Sequence, residues 1–116
     1  MIGVKRAYEE ASTSDGFRIL VDKYWPRGLS KQRARIDLWL REISPSDQLR
    51  KWYSHDPRKW ESFQKKYADE LLAKKALLDK VREIERTKGR VTLLFSSKEQ
   101  RYNNAVALAS LLGIKE

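Results

Sequence analysis

The sequence predicts a small α/β domain, and three observations predict it. Two short apolar runs, FRILVDK at 17–23 and RVTLLFS at 90–96, are nearly continuous rather than alternating. That is the pattern of strands buried on both faces. The long stretch between them reads as helical. Each run stops abruptly at polar residues, Asp22 in the first and Ser96 in the second. An all-helical connection between two strands is a crossover, which makes the strands parallel and sets both carboxyl ends on one edge of the sheet. Together the elements predict a mostly parallel three-stranded sheet with flanking helices, a Rossmann-like layered domain.

Residues 2–8 read as the first strand, with Ile2, Val4 and Tyr8 at alternate positions; its direction is left open. A polar connection follows and closes on Asp15-Gly16, a turn signal. The second strand is 17–23. Residues 31–42 have helical spacing, with Ala34, Leu38 and Arg41 on one face and Ile36, Trp39, Leu40 and Ile43 on another. Ser44-Pro45-Ser46-Asp47 reads as a helix start, with Ser44 capping and Pro45 in the first turn. That helix runs to Tyr53 and is expected to bury Leu49 and Trp52. Asp56-Pro57 repeats the device.

No Pro or Gly interrupts 58–88, where Trp60, Phe63, Tyr67 and Leu71, then Leu77, Leu78, Val81 and Ile84, keep helical spacing. One helix over 56–88 would be roughly 48 Å long at ~1.5 Å per residue. A domain of this size has a radius of gyration near ~13 Å. A break is therefore expected at 73–75, where apolar density falls. Gly89 is the expected helix end, 90–96 the third strand, and 97–104 a polar loop. A last helix opens at Tyr102 or Asn103, buries Ala105, Val106, Leu108, Ala109 and Leu112, and ends at Gly113.

The chain has 116 residues, no cysteine and a formal net charge of +9. That length makes one domain with one modest core. Without cysteine there is no disulfide, thiolate nucleophile or Cys-based zinc site, which fits a cytoplasmic protein. No run approaches the ~20 apolar residues of a membrane span, so no membrane partner is expected. The positive charge is spread along the whole chain. It attracts nucleic acid, phosphate metabolites or other anions in general, or simply solvates the surface.

The chemistry gathers in the two loops after the parallel strands, where α/β proteins bind ligands. The first offers Asp22, Lys23, Trp25, Arg27 and Gly28; the second offers Ser96, Ser97, Lys98, Asn103 and Asn104. A guanidinium beside a glycine, neutral hydrogen-bond donors and the start of a helix suit an oxyanion. A blander reading stands beside this one: Arg27 pairs with Asp22, and Ser97 or Asn103 caps the last helix. Trp25 is placed to stack on a base or sugar, or to cover the core beneath the loop. His55, the one histidine, is either a general base oriented by Asp56 or a loop residue beside a capping aspartate. One histidine and no cysteine predict no metal site, and no cofactor is indicated.

The segments RILVDKYWPRGLSK, IDLWLREISPS, LRKWYSHDPRKWESFQKKYADEL and VTLLFSSKEQRYNNAVAL, in this order over nearly the whole chain, resemble the YeaO-like proteins. That family carries a domain of unknown function, number 488. The resemblance implies a prokaryotic, cytoplasmic α/β domain with no established activity. Longer members of the wider superfamily carry a VDVR…PRS-like segment where this chain has Val21-Asp22-Lys23 and Pro26-Arg27-Gly28. They carry a Cys-rich CAE…CHR-like segment where this chain has Ser96 to Glu99 and Asn103-Asn104. Here the cysteines and the histidine are absent, so the resemblance brings no thiol or metal chemistry with it.

Two classes of function follow. In the first, an enzyme or ligand binder takes a small anion between the two loops. Arg27 and Lys98 hold the anion, Asp22 acts as base or orienter, and Ser97 and Asn104 supply hydrogen bonds. In the second, the basic surface contacts nucleic acid. That contact is expected to be weak and non-specific, because lysines and arginines alternate with acids along 56–88. Arg58 with Glu61, Lys66 with Glu70, Lys75 with Asp79, Arg82 with Glu85 and Arg86 with Glu83 are expected to neutralise one another. Oligomeric state is not written in the sequence.

Overall fold

The computed structural model describes residues 1–113. Strand β1 (Ile2–Arg6) is followed by a 3-10 turn (Thr13–Asp15), β2 (Phe17–Leu20), a single helical turn α1 (Lys31–Ala34) and β3 (Leu38–Trp39). Helices α2 (Asp47–Tyr53), α3 (Trp60–Leu72) and α4 (Lys75–Lys88) lead to β4 (Val91–Phe95), and α5 (Asn104–Leu112) closes the described chain. The sheet order is β1-β4-β2-β3, and every neighbouring pair is parallel. The expected adjacency of the two central strands holds: Ile19 lies beside Leu93 and Leu20 beside Leu94.

Side-chain alternation sorts the core. Ile19, Val21, Val91, Leu93 and Phe95 face the layer built from α2 to α5, where they meet Tyr53, Phe63, Tyr67, Leu71 and Val81. Leu20 and Leu94 point to the other face, under Trp25, Leu29, Ile36 and Trp39. All five residues of β4 are buried, which is why its sequence does not alternate. No helix among the described residues is long and apolar enough to cross a membrane.

The sheet has four strands, not three. Leu38 and Trp39 form the extra strand inside the region expected to be helix 31–42. The helix lasts one turn because Arg35 takes a left-handed conformation at φ 46°. Asp37 then fastens the chain to β2: its carboxylate accepts from the Arg18 N–H at 2.8 Å, and its own N–H donates to the Arg18 carbonyl at 2.9 Å. Strand pairing overrides a helical apolar period that is real but short.

Other expectations shift locally. Ser46, not Ser44, caps α2 and accepts from the Leu49 N–H; the Ser44 hydroxyl donates to the Arg41 carbonyl and closes the 3-10 turn Arg41–Ile43. Burial on α2 falls to Leu49 and Tyr53, four apart, which leaves Trp52 at the surface under the Lys59 and Lys66 ammoniums, each 4.9 Å from its ring centroid. Asp56 caps the turn at Pro57, the break falls between Leu72 and Lys75, Gly89 ends α4, and Asn103 caps α5, as expected. Of the expected helical ion pairs, Arg86–Glu83 forms. Glu70 instead accepts from the Ser46 N–H and hydroxyl, and Arg58 turns to Asp56. The neutralisation expected along α3 is thus incomplete.

A buried ionic knot holds the amino-terminal edge. Arg18 donates to the Asp15 carboxylate and to the carbonyls of Ala34 and Arg35. Lys5 reaches Asp15 at 3.2 Å, and the Thr92 hydroxyl donates to the Asp15 carbonyl at 2.6 Å. Burial opposes the charge on Asp15. The Ser12 N–H, Lys5 and Arg18 outweigh burial and hold its carboxyl below the usual 3.8. A depressed native pKa gives stability that is present above the unfolded value and lost as pH falls through the native one. The stability of the wild type is therefore expected to fall below about pH 4, and Asp15→Asn to flatten that acid limb. Urea titrations across the acid range measure this; identical slopes in the two proteins would contradict it.

Gly16 has φ 67°, and a Cβ there would lie 2.4 Å from the Arg90 carbonyl oxygen. Gly16→Ala is expected to cost at least about 2 kcal/mol in a denaturant titration, from left-handed strain and the backbone clash.

Candidate functional site

The chain leaves β2 and β4 at the same edge, and Asp22 ties the two exits together. One oxygen of its carboxylate accepts from the Ser96 N–H at 2.9 Å and the Ser96 hydroxyl at 2.8 Å. The other accepts from the Asn104 amide at 3.1 Å, which also donates to the Val21 carbonyl. The Asp22 carbonyl in turn accepts from the Trp39 indole at 2.8 Å. One residue thus links β2, β3, the end of β4 and the first turn of α5.

Beside this clamp lies a cavity of about 300 Å³. Its walls include Asp22, Lys23, Ser96, Ser97, Asn103 and Asn104 from the two loops, and Arg50, Tyr53 and His55 from α2 and the residues after it. Tyr24 stands at its rim, and Pro45 and Phe63 supply apolar floor. The geometry of α2 explains the second set. Leu49 and Tyr53 face the core, so Arg50 is turned toward the β2 exit. Ser54 and His55 both take left-handed conformations, at φ 46° and 55°, and this reversal carries the imidazole back to the cavity. Its ring centroid lies 6.2 Å from that of Tyr53.

Charge at the site is organised by Asp47. It accepts from Lys23 at 2.6 Å and from Arg50 at 3.1 Å. The hydrogen bond from Lys23 is the main cause that holds the Asp47 carboxyl below its usual value, and the same bond raises the Lys23 ammonium. Both cations also approach the Tyr24 ring, with Lys23 Nζ 5.6 Å and Arg50 Cζ 5.3 Å from its centroid. The Tyr53 hydroxyl donates to the Tyr102 carbonyl at 2.8 Å. Burial, with smaller contributions from Glu99, Asp56 and Tyr102, pushes it up to about 12, so it stays a neutral phenol at physiological pH.

The structure brings Asp22, Lys23, His55, Ser96, Ser97, Asn103 and Asn104 into one cavity. It does not bring Trp25, Arg27, Gly28 or Lys98 there. After Tyr24 the chain crosses to the other face of the sheet. Trp25 packs edge-on against Trp39, with centroids 5.6 Å apart, and its indole donates to the Leu29 carbonyl. The Arg27 carbonyl accepts from the Tyr8 hydroxyl at 2.7 Å, and Arg27, Gly28 and Lys98 are exposed. Arg27 does not pair with Asp22, whose carboxylate meets Ser96 and Asn104 instead. Asn103 does cap α5, accepting from the Val106 N–H. Asp56 caps its turn and holds the Arg58 side chain, so it does not serve as the orienter of His55.

Sequence reasoning missed Arg50 and Tyr53. Arg50 follows a core leucine and lies three residues after Asp47, which marks a helix edge but not what that edge faces. Among the described residues no cluster of three or more His, Cys, Asp or Glu side chains converges as a metal site.

Comparison with known proteins adds the lineage. The chain is 39% identical over 111 residues to the uncharacterized protein YeaO of Escherichia coli K12, covering 96% of each. It is 35% identical over 113 residues to the uncharacterized protein Rv3073c of Mycobacterium tuberculosis H37Rv, covering 96% of this chain and 92% of that one. No solved structure matches it significantly. The model of the DUF488-N3i family, described as the inactive DUF488-N3 subclade, matches residues 1–115. This chain belongs to the DUF488-N3i family.

Proposed function

We propose that this chain binds a small anionic ligand in the cavity at the carboxyl ends of β2 and β4, without turning it over. The observation that carries the reading is the convergence of Arg50, Lys23 and His55 on a cavity that opens at the first turn of α5. Arg50 supplies a planar fork of donors suited to phosphate or carboxylate. Lys23 adds a point charge. The first N–H groups of a helix have no intrahelical acceptors, and Asn103 covers only that of Val106. In a Rossmann-like layered domain this edge is where ligands sit.

Three donors engage both oxygens of the Asp22 carboxylate and hold them on Ser96 and Asn104. Asp22 acts as a positioning residue for both loops. Binding is favoured over catalysis on two grounds. The Ser96 hydroxyl is committed to Asp22, and among the described residues no carboxylate is hydrogen-bonded to the His55 imidazole to orient it as a base. The description of the family as an inactive subclade agrees with this. The cysteine-free composition supports a cytoplasmic setting.

Calorimetric titration with inorganic phosphate at low ionic strength tests the reading. Saturable binding is expected, and Arg50→Ala should weaken it about tenfold, which corresponds to ~1.4 kcal/mol. Arg50 is exposed, so the variant should fold. No saturable binding by the wild type, or unchanged affinity in Arg50→Ala, would overturn the proposal.

A further inference from the structure

Positive charge is spread evenly along the sequence but not among its neighbours. Residues 23–36 hold Lys23, Arg27, Lys31, Arg33 and Arg35 and no acid. Helices α3 and α4 differ, because Glu61, Asp69, Glu70, Asp79, Glu83 and Glu85 interleave with their lysines and arginines. Lys23 pairs with Asp47 at the cavity. The other four cations are exposed, and among the described residues none of them forms an ion pair.

These four lie on the segment that covers the second face of the sheet with Trp25, Leu29 and Trp39, away from the cavity. The segment is held firmly. The buried Arg18 guanidinium donates to the carbonyls of Ala34 and Arg35, and the Ser30 hydroxyl accepts from the Arg33 N–H at 3.2 Å. Arg33 and Arg35 line one groove with Tyr8. The Tyr8 hydroxyl donates to the Arg27 carbonyl at 2.7 Å, and the Arg6 guanidinium lies 4.6 Å over its ring. The acids beside this group are Glu9, Glu10 and Asp37. Glu9 accepts from the Arg6 N–H and Asp37 from the Arg18 N–H, so two of the three are tied to backbone.

We propose that Arg27, Lys31, Arg33 and Arg35 form a contact surface for the phosphate backbone of a nucleic acid duplex, separate from the cavity. Three of the four are arginines, whose planar forks suit phosphate oxygens. The rings on this face are engaged, with Arg41 over Trp39 at 4.4 Å and Trp25 edge-on to Trp39, so the contact is to phosphates rather than to stacked bases. A membrane surface fits less well. Helix α1 is a single turn and Leu29 packs on the core, so the patch lacks the long apolar face that seats an interfacial helix in lipid. Contact of this kind carries no sequence preference, and its strength falls with salt as counterions are released.

The test compares two variants that lose the same charge. One carries Arg27→Gln, Lys31→Gln, Arg33→Gln and Arg35→Asn, the asparagine chosen because Arg35 has φ 46°. The other carries Lys65→Gln, Lys75→Gln, Lys80→Gln and Lys88→Gln, all exposed on α3 and α4. A labelled DNA duplex of mixed sequence is titrated by fluorescence anisotropy across a salt series, with phosphatidylserine vesicles as a second probe. The wild type is expected to bind the duplex with a Kd of ~10⁻⁴ to 10⁻⁶ M at physiological salt. The first variant should lose at least about tenfold and flatten the salt slope by about three, at roughly 0.9 per phosphate contact. The second should lose less than about threefold. Arg33→Gln alone should flatten the slope by about one, which keeps the test open if the fourfold variant does not fold. Equal losses in the two fourfold variants would show that net charge, not this surface, carries the contact, and would overturn the proposal. Absence of duplex binding by the wild type, or an unchanged slope in Arg33→Gln, would overturn it as well. Tighter binding to vesicles than to duplex, lost in the first variant, would assign the surface to membrane instead and overturn it too.

Discussion

Asp22 stands two residues past the end of β2, directly after the buried Val21, and three donors meet on its carboxylate. The site depends on this arrangement. Parallel strands end on a common edge but leave their exits free to diverge, because nothing in the sheet ladder reaches beyond the last pair. A charge-assisted hydrogen bond contributes about 1.5–3 kcal/mol, roughly twice a neutral one. Three of them from Ser96 and Asn104, with the Trp39 indole on the Asp22 carbonyl, fix the loops after β2 and β4 against α5 and β3. The cavity is the space left beside that clamp.

Charge around the cavity follows a second constraint. Lys23 and Arg50 share Asp47, so neither is a bare cation and each keeps donors for a ligand. The carboxylate also orients them, which lowers the entropy a ligand must overcome to engage two long side chains. Exposed pairs of this kind contribute little to folding stability. Their consequence lies in where the cations are held. The buried Asp15–Arg18 knot has the opposite balance: it is distant from the cavity edge, nearly closed to solvent, and structural.

Much of the fold was legible because its strongest signals are local. Continuous apolar runs marked β2 and β4. Asp56-Pro57, Gly89 and Asn103 marked helix ends through cap chemistry that depends on neighbours in sequence. What failed was decided at a distance. Leu38 and Trp39 became a strand because Asp37 binds Arg18, nineteen residues earlier. Trp52 stayed at the surface because packing against the other helices and the sheet buries Leu49 and Tyr53 instead, and two lysines on the following elements then cover its ring. The site divides in the same way. Topology alone brought Asp22, Ser96 and Asn104 together. It could not show that the chain changes faces after Tyr24, which removes Arg27, or that α2 turns Arg50 toward the loop it replaces Arg27 beside.

The clamp is open to direct measurement by native-state hydrogen exchange at the Ser96 amide, combined with phosphate titration, in the wild type and Asp22→Ala. Protection of a single amide reports the local bond rather than global stability. The account predicts a protected Ser96 amide in the wild type, exchange at least about tenfold faster in a folded Asp22→Ala protein, and weakened phosphate binding in the same variant. Unchanged Ser96 exchange together with undiminished phosphate binding in Asp22→Ala would contradict it.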